Sequence, residues 1–518
     1  MTCANEGREN MPGRSPMGPH PEPSSSAKAG FTSGSGAAKA ILSYAPSRFI
    51  EPILGLISLP FLTRALGVEG FGTFSIVFLT ATMLRTIGFD WIANCALRFR
   101  VAMKDDSEEF FSNIISGLAA SLMLAFFLAL LFSGISLPNS ILVVGTYIWW
   151  ILADAFVSAL AFSGEMVLRA DENPRAFSYS RVFQGLSKHV FGVGVLVLTE
   201  GSIPAYFAAR IAGTLLTSLW SWHLFCSVKH LRIGSITWSA QWQFFIFGYP
   251  IALSIFADAV RIMGNRYAVM WLAGPEAMGL YSAAANIGSA PLLIFQQIVM
   301  LGLYPLAIKN WENNQSISPI ARDGLRYFFI LGIPSLTGIA ILAKPILSII
   351  AGPQYSAAWP VLMIMASAMF LYGISQYFSL QFLVEKRTWV MAAIGIGAGL
   401  LNILLTIFLI PRFGYTAAAY AMLASNFLLL IGFISWSSVS WKDTVPMRSL
   451  LYCAIAAGAM GATVRLIMEF VPLTIPANLV GTIMLGMIVF SVVLWRTGEI
   501  ETEINFLKEK LTNLFNNR

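Results

Sequence analysis

Five arginines and three carboxylates interrupt stretches that are otherwise almost uniformly apolar: Arg48, Arg85, Arg210, Arg261 and Arg266, with Glu51, Asp90 and Asp258. A charge held at the centre of a helix in hydrocarbon costs about 2.5–3.5 kcal/mol on insertion scales, so each needs a partner or a task. A guanidinium is a planar fork of donors that pairs phosphate or carboxylate oxygens two at a time. A carboxylate in the same setting holds such a fork in place, or binds a proton or sodium ion. On one stretch Ser254, Asp258, Arg261 and Asn265 follow at +4, +3 and +4, a single polar stripe on an otherwise apolar helix. Ser47, Glu51 and Ser58 stand 207 residues before Ser254, Asp258 and Asn265, and Asp90 stands the same distance before Gln297. A simpler account makes Arg48–Glu51 and Asp258–Arg261 intrahelical pairs that neutralise each other's insertion cost. That explains the pairs but not why the acidic position repeats.

Such residues need helices to carry them. The chain is 57% hydrophobic and 11% charged, whereas soluble domains carry about 25% charged residues. Its solvent must be largely lipid. Apolar stretches long enough to cross a ~30 Å hydrocarbon layer fall near 41–63, 71–97, 110–133, 140–163, 177–198, 203–227, 244–273, 277–305, 325–350, 357–383, 388–410, 415–440, 449–471 and 476–496. The expected fold is an all-α polytopic membrane protein with about fourteen transmembrane helices. The ~10-residue alternating segments of an outer-membrane barrel are missing from the pattern.

Charge placement gives the orientation. Of 33 Lys and Arg, 24 fall in the amino-terminal tail and every second connection, Arg181 and Lys188 among them, whereas the other connections hold only Arg64 and Arg412. Under the positive-inside rule both termini are cytoplasmic, and the net charge of +7 reports topology, not a nucleic-acid partner. The four cysteines and four histidines show no ligand spacing, so no metal site or disulfide is expected. No phosphate-cradling GxxxxGK[ST] is found, and no cofactor is expected.

The chain also repeats itself. "LTRALGVEGFGTFS" (Leu62–Ser75) returns as "VMWLAGPEAMGLYS" (Val269–Ser282), with Gly67, Glu69, Gly72 and Ser75 matching Gly274, Glu276, Gly279 and Ser282. An offset of 207 residues maps span 1 onto span 7, and six helices between the copies bring both halves in from the same side. Parallel repeats of this kind face each other across an axis along the membrane normal. The expected organisation is a disordered cytoplasmic tail (1–38), a six-helix bundle (39–227), a cytoplasmic linker (228–243), a second, pseudo-symmetric six-helix bundle (244–440), two further C-terminal helices (441–496) and a cytoplasmic amphipathic tail (497–518). Pro250, just before the Asp258 stripe, is the favoured hinge.

The two copies, together with "RTIGFDWIANCALRF", "IFGYP", "SIIAGPQYSAAWPVLMIMA" and "FLIPRFGYTAAAYAMLAS", resemble in order and spacing the polysaccharide transporters of the multidrug/oligosaccharidyl-lipid/polysaccharide exporter superfamily, over roughly residues 40–440. The resemblance implies two six-helix bundles in a V. It also implies a flippase that moves a polyprenyl-diphosphate-linked oligosaccharide, the repeat unit of an O-antigen, capsule or exopolysaccharide, across the bacterial inner membrane. On that footing Arg48, Arg85, Arg210, Arg261 and Arg266 are expected to meet the diphosphate, and Asn265 and Tyr281 the polar head. Glu51, Asp90 and Asp258 would couple an ion or hold the cations apart. Expected partners are the lipid-linked oligosaccharide, membrane lipids, and a polymerase and glycosyltransferases. The alternative, a cation-coupled multidrug or metabolite antiporter, favours an acidic cleft with few arginines. A membrane-embedded polymerase needs a sizeable external loop, and no outer connection exceeds roughly ten residues.

Overall fold

The computed structural model describes residues 34–103, 106–133, 144–225, 236–437, 440–472 and 475–501; the side chains of 34–49, Ala257, Arg261 and Ile262 lie outside that description. Most of the expected tails (1–38, 497–518) and part of the linker (228–243) also fall outside the described residues.

Among the described residues every regular element is helical. Apart from a single turn at Trp441–Thr444, they are in order α1 (Gly34–Gly88), α2 (Asp90–Phe99), α3 (Ser107–Ser133), α4 (Ile148–Ala170), α5 (Pro174–Leu198), α6 (Ile203–Phe225), α7 (Trp238–Met263), α8 (Asn265–Glu312), α9 (Ser318–Ile350), α10 (Trp359–Val384), α11 (Thr388–Phe413), α12 (Thr416–Trp436), α13 (Met447–Phe470) and α14 (Pro476–Arg496). A 3₁₀ segment, Pro353–Ala358, precedes α10. Eleven of the described helices are long and apolar enough to cross a membrane.

Two helices are too long for one crossing. α1 has 55 residues and α8 has 48, and at about 1.5 Å per residue each far exceeds a ~30 Å hydrocarbon layer. Both are broken at the matched glycines. Gly67 has φ 67° and ψ −173°, and Gly274 has φ 86° and ψ 177°, a region that side chains with a Cβ rarely enter. The glycine repeat thus marks where a helix turns and starts its second crossing. α1 carries spans 1 and 2, with α2 completing span 2, and α7 with the first arm of α8 makes span 7.

The two corners press against each other. A Cβ added to Gly72 would lie 1.8 Å from the Pro275 carbonyl oxygen, and one added to Gly279 would lie 2.0 Å from that of Val68. Val68 and Pro275 are themselves 207 residues apart, so the contact is reciprocal, as across a two-fold axis. Around it Phe71, Val77, Met278, Tyr281, Tyr355 and Leu362 are buried in one core shared by both bundles. The Tyr355 hydroxyl donates to the Gly67 carbonyl at 2.8 Å, and Arg64 Nη2 donates to the Ile349 carbonyl at 2.6 Å. At this hairpin end the bundles are closed together.

α7 belongs to both halves. Near its start Thr237 Oγ1 donates to Glu109 Oε1 at 2.8 Å, and Gln241 Nε2 donates to the Asn113 carbonyl and Ser116 Oγ, both at 2.7 Å. Cys95 Sγ donates to the Phe244 carbonyl at 3.0 Å. The same helix also packs against α11 of the second bundle. A boundary at 244 therefore cuts through a helix that bridges the bundles. α13 and α14 form a pair, with α13 seated on α9 through Leu342, Cys453, Ala456 and Met460.

Candidate functional site

Eight charged side chains gather inside the first bundle, on four helices and the start of a fifth. α5 supplies the centre. Arg181, Gln184 and Lys188 follow at +3 and +4, so they share one helical face. Lys188 Nζ donates to Glu51 Oε1 of α1 at 3.1 Å and to Gln184 Oε1 at 3.0 Å. Arg181 spans two carboxylates: Nη2 reaches Glu51 Oε2 at 3.2 Å and Nη1 reaches Glu165 Oε2 of α4 at 2.6 Å. Glu51 is therefore shared by two cations from a neighbouring helix. Next to it Ser58 Oγ and His189 Nδ1 lie 2.8 Å apart.

Two further pairs flank this group. Arg210 of α6 donates through Nε to Asp154 Oδ1 of α4 at 2.8 Å, and its guanidinium lies 4.8 Å from the centre of the Phe78 ring. Arg85 Nη2 lies 3.5 Å from Asp90 Oδ2, across the break at Phe89 between α1 and α2. Arg85 also stacks over Phe162, 5.4 Å from the ring centre. Each cation has a carboxylate, so the cluster is balanced as it stands, as charges taken out of water must be.

Exposure divides the cluster in two. Side chains of Glu51, Arg85 and Arg181 are 33%, 29% and 26% accessible, whereas Glu165, Asp154 and Arg210 are 1%, 6% and 9% accessible. The first three are partly accessible while standing in the helical body of the bundle. The last three are buried among the helices. Glu165 Oε1 and Asp90 Oδ1 are buried without a hydrogen-bond partner, so the set retains acceptor capacity.

Several expected site residues stand elsewhere. Asn265 and Tyr281 are both 1% exposed. Asn265 Nδ2 donates to the Tyr281 hydroxyl at 2.7 Å, and that hydroxyl points at Met365 Sδ. Their polar atoms serve the interior of the shared core, which corrects the expectation that they face a polar head. Arg266 Nη2 donates to Asn286 Oδ1 at 2.8 Å, in the second bundle and away from the five-helix cluster. Asp258 is exposed on α7, and Ser254 Oγ donates to the Pro250 carbonyl at 2.9 Å within the same stripe. Arg48 and Arg261 lie on described helices, but their side chains are outside the description.

The largest revision concerns α5. Arg181 and Lys188 sort by sequence with a basic connection, as residues free to reach the membrane surface. α5 begins at Pro174, so Lys188 stands about 20 Å along the helix at 1.5 Å per residue. That is too deep to snorkel, and the side chain is 7% accessible. Glu165 escapes the sequence pattern for a related reason: the expected span 4 ends at 163, whereas α4 continues to Ala170.

Comparison with known proteins agrees with this architecture. A solved structure described as "Lipid II flippase MurJ, inward closed conformation" superposes with a TM-score of 0.72 at 15% identity, covering 88% of this chain and 99% of that one. An inward-facing multidrug resistance MATE family transporter of the MOP superfamily superposes at 0.59 with 12% identity, covering 81% and 98%. Among curated relatives, "Putative O-antigen transporter" of Escherichia coli (strain K12) is 25% identical over 397 residues, 73% of this chain and 91% of that protein. "Succinoglycan biosynthesis transport protein ExoT" of Rhizobium meliloti (strain 1021) is 22% identical over 467 residues, 86% of this chain and 90% of that protein. The pattern of the family described as "Polysaccharide biosynthesis protein" matches residues 37–311, just over half of the sequence and the whole of the charged cluster. The chain belongs to that family of polytopic membrane proteins.

Proposed function

We propose that this protein is a flippase. It moves a polyprenyl-diphosphate-linked oligosaccharide across the bacterial inner membrane by alternating access, without making or breaking a bond. The cargo has a polar sugar, a diphosphate and a greasy chain, and only the first two need shelter from hydrocarbon. The observation that carries the reading is Glu51, a partly accessible carboxylate held by Arg181 and Lys188 within the bundle. A diphosphate offers those cations more oxygens and more negative charge than one carboxylate does. It displaces Glu51, and Arg85, itself partly accessible, joins it. Glu51 then recovers its partners when the cargo leaves, which resets the site.

The closed hairpin end supports the alternating part of the reading, since a site reachable from one side only is what such a cycle requires. The names of relatives that transport O-antigen or succinoglycan support the cargo class. The five arginines within spans favour an anionic cargo over the cationic drugs of the antiporter alternative. The placement of Lys and Arg supports cytoplasmic termini.

The test replaces Arg181 with Lys and Lys188 with Gln in separate variants. Flipping of a fluorescent polyprenyl-diphosphate sugar is followed in proteoliposomes, and surface polymer is followed in cells. Each change removes a charge-assisted contact of roughly 1.5–3 kcal/mol, so flipping falls about tenfold or more. Membrane levels of both variants stay normal. Wild-type rates from both would refute the diphosphate role.

A further inference from the structure

A second polar site lies outside the charged cluster, where α9 begins, α13 begins and α14 ends. It is a cavity of about 320 Å³ lined by Arg322, Asp323, Arg326, Arg448, Ser449 and Glu499. Arg322 and Arg326 are four residues apart and share a face of α9. Arg448 and Ser449 stand in the first turn of α13, where helical N–H groups lack partners within the helix and favour an anion.

The chain already keeps one oxyanion here. Glu499, with its side chain 8% accessible, accepts from Arg326 Nε at 2.7 Å and from Ser449 Oγ, and its own carbonyl accepts from Arg326 Nη2. The remaining two cations are not neutralised in this way. Arg322 and Arg448 are exposed and have no carboxylate partner among the described residues; Arg448 only stacks on Tyr452 and donates to its hydroxyl at 3.2 Å. The cavity therefore holds three arginines against Asp323 and Glu499. It binds an oxyanion and has room for another.

Its position says which kind. Three helix ends meet at this level, so the cavity lies at the surface of the hydrocarbon layer. Ile500, the residue after Glu499, lines an apolar groove along α14 with Met484, Met487, Ile488 and Trp495. Tyr327 and Trp495 are exposed at the same end, as aromatic side chains are at membrane interfaces. We infer that this cavity is a binding site for the phosphate of an anionic phospholipid, held between Arg322 and Arg448 over the Arg326–Glu499 pair. Basic pockets between helix ends recognise lipid headgroups by this chemistry. The inference does not depend on the flippase reading.

The experiment uses the full chain in phosphatidylcholine nanodiscs, with and without phosphatidylglycerol, and with sodium phosphate as the soluble probe. Native mass spectrometry counts tightly bound lipid and thermal unfolding reports stabilisation. Phosphatidylglycerol should bind the wild type and raise its unfolding temperature, whereas sodium phosphate should do neither. Each arginine removed should weaken lipid binding about fivefold, so Arg322→Gln with Arg448→Gln loses the effect, while Arg322→Lys with Arg448→Lys keeps most of it. Arg412→Gln, an arginine at the far end of α11, should change nothing. Three results would each overturn the inference: no response of the wild type to phosphatidylglycerol, a full response of the double Gln variant, or a response reproduced by sodium phosphate alone. Should the double Gln variant fold poorly, Arg448→Gln alone decides the matter by whether one fewer phosphatidylglycerol is retained.

Discussion

Residues in the cluster divide by what removing them would cost. Asp154 and Arg210 are both buried and bonded to each other, and a buried charge stripped of its partner destabilises by about 3–5 kcal/mol. Arg210→Leu should therefore lower the unfolding temperature in detergent by several degrees, and Asp154→Leu added to it should recover much of the loss. Glu51 behaves differently because its cations have another use. Glu51→Gln leaves Arg181 and Lys188 unneutralised, so the empty protein should bind a polyprenyl diphosphate more tightly and release it more slowly. A binding assay beside the flipping assay reads both; weaker binding would count against displacement of Glu51 by cargo. Sequence alone showed that Glu51, Arg85, Asp90 and Arg210 had to be paired or used, because uncompensated charge in hydrocarbon is costly. It did not show with what. Partners on other helices follow from packing, and local spacing offered only Arg48 as Glu51's mate; among the described side chains Arg181 and Lys188 of α5 hold it.

Elements were more legible, because apolar length is a direct physical demand of the bilayer. The helical class and the repeated Gly-x-Glu-x-x-Gly could be read in advance; that Gly67 and Gly274 turn the helix is what the backbone angles add. Span ends could not be read to the residue, and that imprecision hid Glu165 and misplaced Lys188. The glycine repeat also has a second use that spacing does not reveal. Gly67 and Gly274 are needed for their backbone angles, but Gly72 and Gly279 are needed because the opposite helix passes too close for a Cβ. Gly72→Leu should wedge the hairpin end apart. Its measure is a cysteine introduced at Ala277, 9% exposed in the closed form: a membrane-impermeant maleimide should label it faster in the Gly72→Leu background than in the parent. Unchanged labelling would show that the corner is not a moving contact.

For the whole molecule the notable member is α7, tied by Thr237 and Gln241 to α3 and by its packing on α11 to the other bundle. Any rocking of one bundle against the other must bend or rotate this helix, and Pro250 lies inside it, with no N–H to complete the helical ladder. Pro250→Ala should stiffen α7 and slow flipping without changing the amount of protein in the membrane; a variant that turns over at the parental rate would move the hinge elsewhere. Topology makes a separate demand. Tags at the two ends of the chain should both be reachable only from the cytoplasm, and protection of either there would invalidate the charge-based orientation.

The reciprocal corner contact carries one more consequence. Each half offers the other the same notch and the same ridge, so the recognition between halves is written into both and does not rely on the peptide that joins them. A gene cut in two within codons 228–235, with both fragments expressed together, should yield a nicked protein that reassembles in the bilayer.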